Sequence, residues 1–417
     1  MKMNYERAMA SFEEFGINID KTLEKLSKIK ISLHCWQGDD VGGFEKLDSK
    51  LSGGGIQTTG NYLGKARNPQ ELRTDLNKAF SLIPGKHRVN LHAIYGDFSK
   101  GFKDRNEIDI ENFSDWIDWA KKNDLKIDFN ATLFSHNKAS DGFTLSHQDK
   151  SIREFWIQHV NQCRKISSEI GKKLKDTCIH NLWIPDGAKD ITVSQKEFRR
   201  RLINSLDDIF SVRYPKETML DAVEGKLFGI GSEAFVVGSH EFYYGYALSK
   251  GIMPTLDMGH YHPTESVADK ISAILPFTNS LLLHISRGVR WDSDHIVLQT
   301  DELTALANEI VRSDNLENIY LALDYFDASV NRVGAWVLGM RNTLKALMIA
   351  MLQPTKQLIE LEDCCNNFRK LAILEEFKNM PYGAIWDQYC ESQKVPASMN
   401  WINEIQDYEK NVLSKRA

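Results

Sequence analysis

Short apolar runs alternate along this chain with longer segments in which apolar residues recur three or four positions apart. The short runs have the composition of strands buried on both faces, and they cover residues 31–36, 88–95, 126–132, 178–184, 220–227, 252–256, 280–285 and 318–323. The longer segments have helical spacing and include residues 69–83, 110–123, 151–174, 194–212, 264–274 and 301–312. Eight strands alternating with helices predict an α/β fold, a closed parallel (β/α)8 or TIM barrel, rather than an open doubly wound sheet.

Helical patterns extend beyond the predicted barrel at both ends of the sequence. Residues 4–30 have the pattern of two short helices, and helical spacing continues at 332–352, 357–365, 366–378 and 399–415. We therefore divide the chain into an N-terminal helical extension (1–30), a catalytic barrel domain (31–352) and a C-terminal helical extension (353–417). The last is expected to contact other subunits, because it carries the apolar residues Leu358, Leu361, Phe368, Leu371, Leu374, Phe377, Trp386 and Trp401.

Composition and charge exclude several classes of function. The 417 residues are 42% hydrophobic and 26% charged, and 52 Lys and Arg against 57 Asp and Glu give a net charge of −5. A basic field that attracts nucleic acid is therefore not expected. The six cysteines form no CxxC pair, and the sequence has neither a signal-peptide pattern nor a run of about 18 apolar residues. These features predict a soluble cytoplasmic protein that binds neither nucleic acid nor a membrane.

Acidic and imidazole side chains follow four successive predicted strands. Because parallel strands of a barrel end at one rim, four of these side chains are expected to converge on one cation: Glu224, Asp257, His284 and Asp324. Three more lie on the following loops and are placed to hold a second ion: His260, Asp292 and Asp294. Taken alone, each residue is equally well explained by a salt bridge or a helix cap. The joint pattern favours a metal centre.

The ligand chemistry narrows the choice of metal without selecting one. Oxygen and imidazole donors without thiolates indicate Mn²⁺, Mg²⁺, Co²⁺ or a catalytic Zn²⁺. Asp324 is a better candidate ligand than Asp327, because it lies in phase at the strand end. His262 and His295 are expected beside the ligands or at the surface.

A second arc of the predicted rim carries aromatic and hydrogen-bonding residues. Aromatic faces combined with polar groups are typical of a sugar site, so we expect a pocket walled by His34, Trp36, His92, Phe129, Asn130, Trp183 and Asp186. Core packing is an equal alternative for Phe129. Lys226 lies two residues beyond Glu224, on the same face of a strand, and is expected to hydrogen-bond substrate or to move a proton. Charge compensation is the alternative for Lys226.

Many segments resemble conserved blocks of the L-rhamnose isomerase family, in the same order, from about residue 10 to about residue 412. They include HCWQGDDVGGFE, NLHAIY, WIPDG, VEGKLFGIG, LDMGHYHPTE, LLLHISRGVRWDSDH and DYFDASVNR. The resemblance implies a (β/α)8 barrel, a homotetramer, and metal-dependent interconversion of L-rhamnose and L-rhamnulose. Departures from the family pattern are small: Leu63, an extra glycine near Gly53, and His240. None of them touches a ligand position.

The resemblance also implies roles for individual residues. Glu224, Asp257, His284 and Asp324 would hold a structural ion, whereas His260, Asp292 and Asp294 would hold a catalytic ion. Family positions that face substrate match His92, Lys226, Trp183 and Phe129, and we expect Lys226, His92 and Asp324 to take part in catalysis. Two divalent ions per subunit are therefore expected, with Mn²⁺ preferred over Co²⁺, Zn²⁺ or Mg²⁺.

The candidate residues favour one of two isomerisation mechanisms. Proton abstraction through an enediol needs a free base, and the best candidates, His260 and the carboxylates, are assigned to metal. A 1,2-hydride shift on the open-chain sugar is therefore expected, with His92 or Lys226 assisting ring opening. The alternatives are a metal-dependent hydrolase, for which the rim offers few basic residues, and a non-catalytic sugar-binding protein, which needs no such ligand set.

Overall fold

A closed barrel of eight parallel strands forms the centre of the computed structural model, which describes residues 2–45, 60–227, 234–289 and 294–416. The strands are β1 (Ile31–His34), β2 (Arg88–His92), β3 (Lys126–Asn130), β4 (Cys178–Trp183), β5 (Met219–Glu224), β6 (Met253–Asp257), β7 (Leu281–Ile285) and β8 (Ile319–Leu323). Each strand pairs with its neighbours in chain order, and β8 closes the barrel onto β1. The predicted TIM barrel is confirmed.

A helix follows each barrel strand. These helices are Pro69–Phe80, Ser114–Lys122, Lys150–Leu174, Gln195–Phe210, His240–Lys250, Ala268–Ile274, Asp301–Arg312 and Arg332–Met351. The last of them is mostly buried and packs against both the helix before it and the first helix of the ring, so it completes the outer layer. The remaining helices are Lys2–Glu13, Ile19–Lys28, Thr355–Asp363, Asn367–Phe377, Tyr382–Ser392 and Asn400–Asn411. No described helix is both long and apolar enough to cross a membrane.

Side chains inside the barrel alternate with those that face the helices, and this alternation positions the site. One inward layer is apolar and consists of Ile179, Ala222, Met253, Leu282 and Ala322. Two residues further along their strands, the inward positions are polar, and they are Asn181, Glu224, Thr255, His284 and Asp324. The carboxyl-terminal end of the barrel therefore carries the polar side chains that can bind ligands or take part in catalysis.

The first five strands end one to three residues earlier than the sequence pattern predicts, and the reason is clearest for β1 and β2. After His34 and His92 the chain turns into the 3₁₀ helices Cys35–Gly38 and Ala93–Tyr95. All residues of both turns are buried, so their apolar composition continues the strand pattern although the backbone does not. The helix Tyr382–Ser392 was not among the helices predicted from the sequence.

The C-terminal helices pack on the N-terminal helix and on the start of the barrel. Phe377 contacts the rings of Phe12 and Phe15 at centroid distances of 6.3 and 4.8 Å. Arg416 donates to both carboxylate oxygens of Asp75, at 2.6 and 2.8 Å, and thereby ties this extension to the helix after β1. The division of the chain at residues 30 and 352 stays a prediction.

The apolar residues predicted to meet another subunit differ in their exposure, and Leu374 and Trp401 are half-buried. Leu358, Leu361, Phe377 and Trp386 are buried within the chain. Phe368 and Leu371 are 84% and 59% exposed. The surface available for a partner is therefore smaller than the sequence suggests.

Candidate metal centre

Four side chains from four adjacent strands converge at the carboxyl-terminal rim of the barrel. Glu224 ends β5, Asp257 ends β6, His284 lies in β7 and Asp324 follows β8, and their donor atoms lie within 4.8 Å of one another. His284 Nδ1 lies at the centre, 3.3 Å from Asp257 Oδ2, 3.3 Å from Asp324 Oδ2 and 3.5 Å from Glu224 Oε2. We call these four residues the first ligand group.

Three side chains form a second ligand group beside the first: Asp257, His260 and Asp294. His260 reaches both groups, because its Nδ1 lies 2.9 Å from Glu224 Oε1 and its Nε2 lies 4.0 Å from Asp294 Oδ2. Asp292, the third predicted ligand of the second ion, lies outside the described residues. Sequence reasoning assigned Asp257 to the first group only. The available signal was that Asp257 and His260 lie only three residues apart, at the same end of β6.

The donor set fits a hard divalent cation. Asp257 Oδ2 and His284 Nδ1 are buried, and neither makes a hydrogen bond within the described part of the chain. Donor atoms around a six-coordinate ion at about 2.1–2.5 Å lie about 3.0–3.5 Å apart, which is the spacing found around His284. Carboxylate and imidazole donors suit Mn²⁺, Co²⁺ or Zn²⁺ and, where oxygen dominates, Mg²⁺. Buried donors with this spacing indicate a cation site.

The carboxylates control the pKa values of the two imidazoles. Burial alone would lower the pKa of His284, but Glu224, Asp257 and Asp324 outweigh it and hold that pKa well above its usual range. Burial likewise favours the neutral ring of His260, but Asp257 and Glu224 raise its pKa to about 10. For Asp294, burial and then the negative charge of Asp257 raise the pKa well above its usual range. The metal-free cluster thus holds protons in the place where a cation would bind.

Neighbouring groups fix the orientation of the donors. Trp36 Nε1 donates to Asp324 Oδ1 at 3.0 Å, and the Gly259 amide donates to Asp257 Oδ1 at 2.7 Å. His240 Nε2 donates to the backbone carbonyl of His260 at 2.8 Å. His240, which departs from the family pattern, therefore helps to hold the loop that carries His260. Partners of this kind hold metal ligands in place and tune their affinity.

A cavity opens beside both ligand groups. It is lined by Trp36, Val41, His92, Asn130, Phe134, Asn181, Trp183, Glu224, Lys226, His260, His284, Asp294, Asp324 and Phe326. The Lys226 ammonium lies 4.9 Å from the centre of the Trp183 ring. Burial lowers the pKa of His92 to about 4, so this ring is neutral near pH 7. Aromatic walls with a few polar groups suit a monosaccharide.

Three residues predicted for the pocket wall do not line this cavity. Phe129 is fully buried and faces the helices, where its ring centroid lies 4.8 Å from that of Phe113. The alternation along β3 explains this position, because it turns the next residue, Asn130, inward. His34 is buried against Tyr325, and Asp186 accepts hydrogen bonds from the backbone and side chain of both Thr144 and Ser146.

The cavity contains aromatic residues that sequence reasoning missed. Phe134 and Phe326 lie in the loops after β3 and β8, beyond the regular alternation of the strands. Asp327 binds the amide and hydroxyl of Ser329 rather than the metal groups. His262 contacts Thr264, and His295 pairs through its backbone with Arg287. A larger cavity of about 840 Å³, at the opposite end of the barrel, contains none of the ligand groups.

The chain is similar to one protein family along its whole length. The family model for L-rhamnose isomerase (RhaA) matches residues 1–416. The L-rhamnose isomerase of Rhodopirellula baltica is 52% identical over 413 residues, which are 99% of this chain and 96% of that protein. The L-rhamnose isomerase of Mannheimia succiniciproducens is 52% identical over 412 residues, with 99% and 98% covered. Among solved structures, an L-ribulose 3-epimerase aligns with a TM-score of 0.46 at 10% identity, over 80% of this chain and 97% of that chain.

Proposed function

Since the chain belongs to the L-rhamnose isomerase family, we propose that it interconverts L-rhamnose and L-rhamnulose at the two ligand groups on the barrel rim. The observation that carries this proposal is that residues of both groups line one aromatic cavity. Substrate placed there lies against Trp183 and Phe134, with Lys226 and His92 in reach of its hydroxyl groups.

We assign two divalent ions to this centre. The first ligand group would hold one ion, and Asp257, His260 and Asp294, with Asp292 as a predicted ligand, would hold the other. Bound there, such ions would act as Lewis acids towards substrate oxygens and would lower the pKa of bound water. Mn²⁺ is our preferred ion, with Co²⁺, Zn²⁺ and Mg²⁺ as alternatives.

Ring opening comes first, because only the open-chain aldose has a carbonyl at C1. His92 is held neutral by burial, and its Nδ1 lies 3.1 Å from the hydroxyl of Thr132. Its neutral ring can accept a hydrogen bond from the anomeric hydroxyl, and the Lys226 ammonium is suited to donate one to the ring oxygen. Trp183 orients the sugar by stacking.

The next step moves hydrogen from C2 to C1. Among the described residues that line the cavity, every carboxylate belongs to a ligand group: Glu224, Asp294 and Asp324. No described carboxylate in the cavity is therefore free to act as a base at C2. This supports a hydride shift, in which hydrogen leaves C2 with its bonding electrons while the O2 proton moves to O1.

Turnover of L-rhamnose by purified protein tests the proposal. Conversion to the ketose, lost after chelation and restored by Mn²⁺, is the expected result. A hydrolase would leave L-rhamnose unchanged but cleave phosphodiester substrates, and a sugar-binding protein would retain the sugar without converting it. Either outcome would contradict the assignment.

We also propose that the protein acts in the cytoplasm as a homotetramer. The exposed pair Phe368 and Leu371 on the helix Asn367–Phe377 supports contact with another subunit.

A further inference from the structure

A side-chain amide lies directly beneath the metal centre. Asn181, in the middle of β4, is 4% exposed, and its Nδ2 donates to Glu224 Oε2 at 2.6 Å. Glu224 belongs to the first ligand group, and its other oxygen lies 2.9 Å from His260 Nδ1. Asn181 therefore contacts the oxygen of Glu224 that lies away from His260.

A threonine holds the other end of this amide. Thr255 Oγ1 donates to Asn181 Oδ1 at 2.8 Å, and Thr255 is 1% exposed. The two residues reach each other across β5, where Ala222 lies opposite Asn181 and Glu224 lies opposite Thr255. Because Ala222 carries only a methyl group, the side chain of Asn181 has room to contact both Glu224 and Thr255.

Chemistry dictates the direction of both hydrogen bonds. An ionised carboxylate can only accept, so Asn181 must present its NH₂ group to Glu224 and its oxygen to Thr255. The carboxylate thus selects the amide orientation, and Thr255 holds the amide in it by donating to Asn181 Oδ1. Without that hydroxyl, the buried amide oxygen would lose this donor and the amide would be held only at its Glu224 end.

We propose that Thr255 and Asn181 are positioning residues that fix the carboxylate of Glu224 for metal binding. This inference rests on the metal centre of the proposed function. Neither residue is a ligand; Thr255 acts through Asn181, and Asn181 acts through Glu224. Loss of a hydrogen-bonding partner behind a metal ligand typically weakens metal affinity by about 10–100-fold. The affinity of the protein for Mn²⁺ is therefore the quantity that this pair controls.

Mn²⁺ titration of the metal-free protein by calorimetry or electron paramagnetic resonance tests this role. Thr255→Val keeps the shape of the side chain but removes the donor, and should raise the Kd for Mn²⁺ about 10-fold. Thr255→Ser keeps the donor and should restore a Kd close to that of the wild type. Thr343→Val is the control, because Thr343 is equally buried but donates to Gly339 in its own helix and belongs to neither ligand group.

A double-mutant cycle distinguishes positioning from general destabilisation. Asn181→Ala should weaken Mn²⁺ binding at least as much as Thr255→Val, and the second change should have no further effect in the first background. Additive losses, or a Thr255→Val Kd equal to that of the wild type, would overturn the inference. Wild-type protein that binds no Mn²⁺ would instead contradict the proposed metal centre. If Thr255→Val does not fold, Asn181→Ala compared with Thr255→Ser carries the test.

Discussion

His260 and His262 lie two residues apart in one loop but differ in what they contact. His260 belongs to the second ligand group, whereas His262 contacts Thr264. We predict that His260→Ala lowers turnover of L-rhamnose about 100-fold or more, because it removes a ligand of the second group. Folding should change little, because the four residues of the first ligand group remain. His262→Ala should keep wild-type turnover. Initial rates at saturating Mn²⁺, with melting curves of both variants, check this pair.

Near-normal turnover of His260→Ala would remove the second ligand group from the reaction. Asp257→Ala should lower turnover more than His260→Ala does, because Asp257 belongs to both ligand groups.

Every described carboxylate that lines the cavity belongs to a proposed ligand group, which predicts how isotopic labels move during the reaction. A hydride shift carries the C2 hydrogen to C1 without contact with water, whereas an enediol base exchanges it. L-rhamnose deuterated at C2 should give rhamnulose that keeps deuterium at C1, as measured by mass spectrometry or NMR. Unlabelled sugar converted in D₂O should gain almost none there. Substantial solvent deuterium at C1 after one conversion would reassign Lys226 or Glu224 as a general base.

Residue identities at the rim were predictable where strand geometry decides them. Glu224, Asp257, His284 and Asp324 could be found because parallel strands end at one rim and because each residue closes an apolar run. The position of Phe129 required the phase of β3, which a run apolar on both faces does not reveal. The sharing of Asp257 by two groups depends on how its loop folds back, which local pattern cannot show.

The turn after β6 brings two elements into close contact at Gly259. A Cβ atom at this position would collide with the carboxylate of Asp294, and the Gly259 amide also donates to Asp257. Gly259→Ala should therefore displace Asp294 and weaken one of the two Mn²⁺ sites about 10–100-fold. Gly245→Ala is the matched control, because Gly245 lies in a helix and a Cβ there meets nothing within 4 Å. Two unchanged Mn²⁺ sites in Gly259→Ala would contradict this account.

Strands were easier to predict than their ends. All eight runs became barrel strands, since only burial on both faces explains short runs of this composition. The ends of β1 and β2 were placed too late, because the 3₁₀ turns that follow them are buried as completely as the strands. Burial sets composition, but the hydrogen bonds that end a strand depend on neighbouring strands.

At the scale of the whole molecule, metal and fold should be thermodynamically linked. Removal of the ion leaves the buried carboxylates of the first group crowded together, and any ion bound only to the folded state stabilises it. At Mn²⁺ concentrations of 100 to 1,000 times Kd, the gain is about 2.7–4.1 kcal/mol per site. Chelation should lower the melting temperature and Mn²⁺ should restore it, as measured by calorimetry. An unchanged curve after verified removal of metal would count against the first group.

The exposed residues of the C-terminal extension predict assembly. Wild-type protein should sediment as a species larger than the 47.7 kDa monomer, and Phe368→Asp with Leu371→Asp should shift it towards the monomer. Phe277→Asp, at an aromatic residue that is 73% exposed outside this extension, is the control. A wild-type monomer at micromolar concentration would exclude the predicted contact.

The ion pair between Arg416 and Asp75 also limits how early during synthesis this enzyme can complete its fold. Asp75 leaves the ribosome 341 residues before Arg416, and translation at about 5–20 residues per second separates the two by about 17–70 s. Closure of the barrel waits as well, because β1 needs β8 as its partner. The loop after β1, which contains Trp36, is therefore synthesised long before Asp324, to which Trp36 donates a hydrogen bond. Activity should begin only after Asp324 and Arg416 have left the ribosome.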